Sequence, residues 1–195
     1  MEWSGKVINF LGDSITQGAK SIRMNKQFVT KVSFPVSTIM TFTAVARLFV
    51  HLFLAIIMYV ILICTGYTPD VYNLQFFLYC PLMYMFFVAL TWSTAPMAAF
   101  SKDFENMIVS IMSGIFWLSG IIYNSYDLGI SWLEKAMLFN PINFFANGYR
   151  NAFLYDRWFF DNKLDLFIFL GEFVAVFLLG IFNYNRLRKT LPDVL

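Results

Sequence analysis

Three ionisable side chains stand inside otherwise apolar runs, and chemistry would be sought there first: Arg47, His51 and Glu172. A charge at mid-bilayer depth costs about 3 kcal/mol on insertion scales, so each needs a partner, a polar pathway or a route to a headgroup. Arg47 and His51 are four residues apart and share one helix face. Arg47 is close enough to the end of its run to snorkel to the headgroups. Glu172 lies deeper, where it could pair with Arg47 or His51, line a polar pathway, or stay neutral against Ser or Thr. A proton-coupled secondary carrier built on His51 and Glu172 is one reading of this trio. Cys64 and Cys80 fall within apolar runs and suit neither a disulfide framework nor a metal site, so they read as buried small side chains. No metal is expected, and no G-x-x-x-x-G-K-[ST] loop occurs, so any ATP chemistry would belong to another subunit.

The elements that hold these groups follow from composition. Of 195 residues 59% are apolar and 13% charged, and 24 are Phe. Soluble domains carry about 25% charged residues, which places this chain in a membrane. A spanning helix needs about 20 apolar residues. Four segments qualify, at about 37–64, 76–100, 107–123 and 164–184, giving an all-α polytopic protein with four transmembrane helices. Gly66–Asp70 reads as a turn-rich outer loop and Ser101–Asn106 as a short charged hairpin. Residues 124–163 are too polar to span but rich in rings, which suits an outer aromatic segment at the membrane boundary or a re-entrant one. A cytoplasmic segment 1–36, a membrane domain 37–184 and a tail 185–195 complete the division. Nothing in it resembles a nucleic-acid-binding surface.

Charge placement sets the orientation. With the N-terminus cytoplasmic, Lys6, Lys20, Arg23, Lys26, Lys31, Lys102, Arg186, Arg188 and Lys189 lie inside. The outer segments hold Lys135, Arg150, Arg157 and Lys163, offset by Asp127, Glu134, Asp156 and Asp161. Both termini are therefore expected in the cytoplasm. Projected as a helix, residues 20–34 place Lys20, Arg23, Lys26 and Lys31 on one side and Ile22, Phe28, Val29 and Val32 on the other. That pattern suits a basic amphipathic helix on the inner leaflet or against a cytoplasmic partner. Pairs of small residues, Ser110 with Gly114 and Ala95 with Ala99, offer close helix packing.

Two stretches carry a family resemblance. Ala19-Lys20-Ser21-Ile22-Arg23-Met24-Asn25, followed by Val32-Ser33-Phe34-Pro35, resembles the lead-in to the third span of permease subunits of ABC-type exporters of teichoic acid, O-antigen and other polysaccharides. Asn140-Pro141, followed by Gly148-Tyr149-Arg150, is similar to the segment before that family's last span. The resemblance covers most of the chain. It implies a permease in a bacterial plasma membrane, paired with a second copy of itself and driven by separate ABC ATPase subunits that bind the ATP. Lys20, Arg23, Lys26, Lys31 and Lys102 would then couple to the ATPase. Trp132, Phe144, Phe145, Tyr149, Arg150 and Trp158 would line the outer path of a lipid-linked glycan. Family members carry an interfacial helix and two spans ahead of these four, so the resemblance implies a permease truncated at its N-terminus.

A second resemblance is local. Lys6 to Gly18, through Gly12-Asp13-Ser14, is similar to the first block of SGNH (GDS-type) esterases, which implies Ser14 as a nucleophile in a membrane-tethered hydrolase. A serine needs a base to remove its proton. That family's base is a histidine three residues after an aspartate. The one histidine here, His51, has Leu48 at that spacing. The transporter reading is preferred, with the hydrolase and the proton-coupled carrier as alternatives.

Overall fold

The computed structural model describes residues 14–30, 35–118, 129 and 131–191. All regular structure among them is helical: α1 (residues 14–24), α2 (Lys26–Thr30), α3 (Val36–Cys64), α4 (Phe76–Phe100), α5 (Lys102–Leu118), α6 (Ser131–Leu138), α7 (Pro141–Phe153) and α8 (Lys163–Leu187). A 3-10 turn, Val71–Gln75, leads directly into α4. Three of these elements are long and apolar enough to cross a membrane: Val36–Cys64, Val71–Phe100 and Lys163–Leu187. The chain is a polytopic membrane protein.

The apolar runs account for α3, α4 and α8. In lipid, an apolar side chain gains nothing by turning inward, so close packing decides which faces meet. Large side chains accordingly point outward along α3 (Phe42, Phe49, Phe53) and α8 (Phe167, Leu178, Phe182). α4 is the hub, packed most extensively on α8 and also against α3, α5 and α7. Gly180 permits the α4–α8 approach, since a Cβ there would lie 2.7 Å from the Ala89 carbonyl oxygen. Pro81 and Pro96 lie inside α4, a substitution pattern that spanning helices tolerate where neighbours take up the freed carbonyls.

The expected third span, 107–123, corresponds to α5, whose described part ends at Leu118; residues 119–123 lie outside the described residues. The hairpin expected at Ser101–Asn106 is shorter than that. Only Ser101 is non-helical, and α5 starts at Lys102. The Ser101 hydroxyl accepts the Phe104 N–H at 3.3 Å, and Asp103 and Glu105 occupy the first turn, where the helix dipole favours acids. Ser110 and Gly114 face outward, whereas Ala95 and Ala99 are buried. Cys80 is buried as expected, but Cys64, at the end of α3, is exposed.

Over its described residues the basic segment is not one continuous helix. α1 and α2 are separate, with a turn at Asn25 whose side chain donates to the Ser21 carbonyl at 2.8 Å. α1 packs along α4: Ile15, Ala19 and Ile22 are buried, and Gly18 abuts Thr91 closely enough that a Cβ would collide with it. Phe28, expected on the apolar side, is 43% exposed. Val32 and Lys31 lie outside the described residues.

The aromatic segment becomes two short helices. α7 starts where Asn140 caps it, accepting the Ile142 N–H at 3.0 Å, with Pro141 in the first turn. Ile142, Phe145, Ala146, Tyr149 and Phe153 then form a buried face at helical spacing. Phe144 stacks on Phe169 of α8 at 4.1 Å and 3°, a contact worth about 1 kcal/mol beyond area burial. These rings are packed into the fold, while Trp132 and Phe139 remain exposed.

Candidate functional site

Polar groups recur along α4 from one end to the other. Ala99 and Tyr79 are twenty residues apart, which at 1.5 Å per residue is about 30 Å, the thickness of a hydrocarbon core.

At the Ala99 end, Arg23 of α1 reaches inward. Its guanidinium donates to the Ala98 and Ala99 carbonyls at 2.6 and 3.1 Å and pairs with Glu105 at 3.2 Å. Those carbonyls lie in the last turn of α4, where a helix leaves its carbonyls without partners from a following turn. Arg23 therefore ties α1 to both α4 and α5, and is not a free cation on a docking face. Lys26 and Lys102 are exposed beside it, and Lys20 is half-buried.

Midway, a narrow cavity of about 20 Å³ lies between α1, α3 and α4, lined by Ser14, Thr43, Arg47, His51, Tyr84 and Thr91 among others. That volume holds about one water molecule. Ser14 and His51 thus share a cavity, which the sequence spacing did not suggest, yet an ester has no room there and Ser14 is itself buried. Arg47 faces this cavity and so has a polar lining beside it.

His51 is held from the other side by α7: its Nε2 lies 2.9 Å from the Tyr149 hydroxyl. That hydroxyl also sits 3.9 Å from the Met83 sulfur. Burial, with Cys80 adding to it, pushes the Tyr149 hydroxyl well above its ordinary range, so it stays protonated. Glu172 joins neither group. Its Oε2 is buried without a hydrogen-bond partner, and among the described residues no ion pair joins it to Arg47 or His51.

At the Tyr79 end a wide pocket of about 400 Å³ opens between α4, α7 and the 154–162 loop. Phe144, Tyr155 and Trp158 contribute rings, and Asn147, Asp161 and Asp165 polar groups. Two glutamine contacts fix the loop: Gln75 donates to the Arg157 carbonyl at 2.8 Å and accepts the Phe159 N–H at 2.7 Å. The Asp161 carboxylate accepts the Trp158 N–H at 2.9 Å. Gly148 lies beneath the Tyr79 ring with no room for a Cβ. Arg150 donates to Asn147 at 3.2 Å and so orients a lining amide. Of the rings expected to line an outer path, Phe144 and Trp158 border this pocket. Phe145 and Tyr149 lie in the core, and Trp132 stands exposed on α6. Gln75, Tyr79 and Asp165 were missed by sequence reasoning. Asp70-x-x-Asn73, which caps the 3-10 turn at this end, is a local signal that the reading of Gly66–Asp70 as a loop passed over.

The family model described as ABC-2 type transporter matches residues 8–154. That range includes Ser14 and most of the stretch resembling an esterase. No curated protein matches the chain.

Proposed function

The chain belongs to the ABC-2 type transporter family, and from that premise we propose that it serves an ATP-driven exporter of a polysaccharide, teichoic acid or other lipid-linked glycan. Membership makes it the membrane-spanning, permease part of an ABC transporter, whose ATPase is a separate partner. The glycan cargo, the pairing with a second copy and the cytoplasmic placement of both termini are our reading.

The observation that carries the cargo is the wide pocket at the Tyr79 end, where rings alternate with amides and carboxylates. Sugars present C–H faces that stack on rings and hydroxyls that bond to such groups. Orientation is supported by the exposed Lys26 and Lys102 at the opposite end of α4, together with the excess of basic residues on that side. In this arrangement Arg23 transmits rather than docks: a push on α1 or α2 reaches α4 and α5 through it. The Glu172 Oε2 has no hydrogen-bond partner among the described residues, so no observation favours a proton-coupled carrier over the exporter.

The test is reconstitution of the chain with its ABC ATPase in vesicles. Glycan transport that requires ATP and persists without a proton gradient is expected. Transport driven by the gradient alone would sink the proposal.

A further inference from the structure

The pocket at the Tyr79 end is more specific than a general glycan surface. Its charged lining is Asp161, Asp165 and Arg157, two carboxylates against one guanidinium. Recognition of phosphate calls for converging guanidinium groups or unpaired backbone N–H donors. Here two of the nearby backbone donors are already used, Trp158 by Asp161 and Phe159 by Gln75. Arg157 is exposed, and its carbonyl is tied to Gln75. A polyol-phosphate chain would bring a negative charge per repeat against Asp161 and Asp165, and like charges brought together select against a ligand.

Uncharged sugars meet no such obstacle. Tyr155, 46% exposed, stands at the pocket with Phe144 and Trp158 as apolar surface. Asn147 is held from both sides, donating to Asn143 at 3.4 Å and accepting from Arg150 at 3.2 Å. Asn162 donates to Asp165 at 2.6 Å at the start of α8, and both residues line the pocket. The volume of about 400 Å³ lies in the range of small-ligand sites, about 300–1,000 Å³. It suits one or two pyranose rings better than an extended polymer.

We infer that this pocket binds uncharged pyranose units of the exported glycan and discriminates against phosphodiester-linked polymers. The inference rests on the exporter reading above and narrows its cargo. Polymer leaving the membrane would be held by successive neutral sugars, each released as the next arrives, which requires weak binding at a rigid site.

The experiment uses the full chain assembled with its ATPase in nanodiscs, probed by saturation-transfer NMR. The probes are a panel of neutral trisaccharides (gluco-, galacto-, manno- and N-acetylglucosamine-based) and a trimer of glycerol phosphate. Saturation transfer to the carbon-bound protons is expected for at least one neutral trisaccharide and not for the phosphate trimer. Tyr155→Ala and Trp158→Ala should each weaken the neutral signal about five- to tenfold, the loss of one aromatic contact. Tyr155 is exposed enough that its removal should leave the fold intact, which a thermal melt checks. A phosphate-trimer signal equal to or stronger than the sugars would overturn the inference. So would the absence of any neutral signal, or a neutral signal unchanged in both variants. If the ATPase assembles and drives export while no neutral sugar binds, the pocket inference fails alone. If no ATPase assembles, the exporter reading fails, and the trisaccharide result still decides what the pocket binds.

Discussion

The Tyr149 hydroxyl and His51 Nε2 meet at 2.9 Å across the contact between α7 and α3. The Tyr149 ring also lies 6.3 Å from Tyr79, which borders the wide pocket, while His51 lines the narrow cavity. This one side chain therefore stands between the two polar spaces along α4. A helix that is too short to span is thereby anchored to one that does.

Removing that contact should show coupling. Hydrogen bonds between membrane helices contribute about 0.6 kcal/mol on average and up to about 1.7. Tyr149→Phe keeps the ring contacts with Phe76 and Phe153 and deletes only the hydroxyl. It should lower stability by about 1 kcal/mol in SDS titration. His51→Phe added to it should cost less than the sum of the two single changes, because the partner is already gone. Strict additivity would mean that the contact carries no energy. Alkaline pH offers a second check. A hydroxyl raised by burial binds its proton in the folded state beyond the ordinary tyrosine value of about 10. The unfolded chain then holds fewer protons, so stability falls as pH rises above that value. Tyr149→Phe should flatten this fall.

Gln75 is 4% exposed and serves as both donor and acceptor for the 154–162 loop. Gln75→Ala leaves a peptide carbonyl and an N–H without their partners, at a cost of about 1–3 kcal/mol for each that stays buried. Opening the loop is the cheaper outcome. Trypsin cleavage after the exposed Arg157 should accelerate in this variant, with little change at Lys102. Equal cleavage rates in wild type and variant would show that Gln75 does not hold the loop.

The glycines divide by what surrounds them. Gly180 lies against the Ala89 carbonyl, whereas Gly114 and Gly171 have open space around the missing Cβ. Gly180→Ala must push α8 away from α4 and should destabilise by about 1–3 kcal/mol, as overpacking does. Gly171→Ala should be neutral or stabilise by up to about 1 kcal/mol through helix propensity alone. Thermal denaturation in detergent would separate the two, and the argument fails if their order is reversed.

How much could be read ahead of the structure depends on whether a signal was local. The long apolar runs located α3, α4 and α8, because hydropathy over about 20 residues needs no knowledge of neighbours. Asn140-Pro141 was read only as part of the family resemblance, although it carries a local signal for the start of α7, since capping is settled within one turn. Ser101 with Asp103 and Glu105 carried the same kind of signal for α5, and charge alone made them read as a loop. Helical projection put Arg23 on a polar side of its segment, but it cannot say what that side meets. The Ala98 carbonyl lies 75 residues away in sequence. Gln75 left no trace in any periodicity, because its two partners are backbone groups of a distant loop.

The same distinction separates structure from docking among the basic residues. Arg23 is satisfied within the chain, by Glu105 and two carbonyls, whereas Lys26 and Lys102 are exposed. Arg23→Glu removes charged hydrogen bonds, each worth about 1.5–3 kcal/mol before allowance for partial exposure, and sets a carboxylate against Glu105. It should destabilise the permease itself, whatever the partner does. Lys26→Glu touches no internal contact and should leave the melting temperature unchanged. If the ATPase docks on this face, Lys26→Glu should weaken its capture by about 1 kcal/mol or less, about fivefold at most, and more visibly at low salt. Measuring both variants for thermal stability and for ATPase capture separates the two roles. Capture unaffected by Lys26→Glu combined with Lys102→Glu would remove this face from the docking surface and leave Arg23 as a purely internal strap.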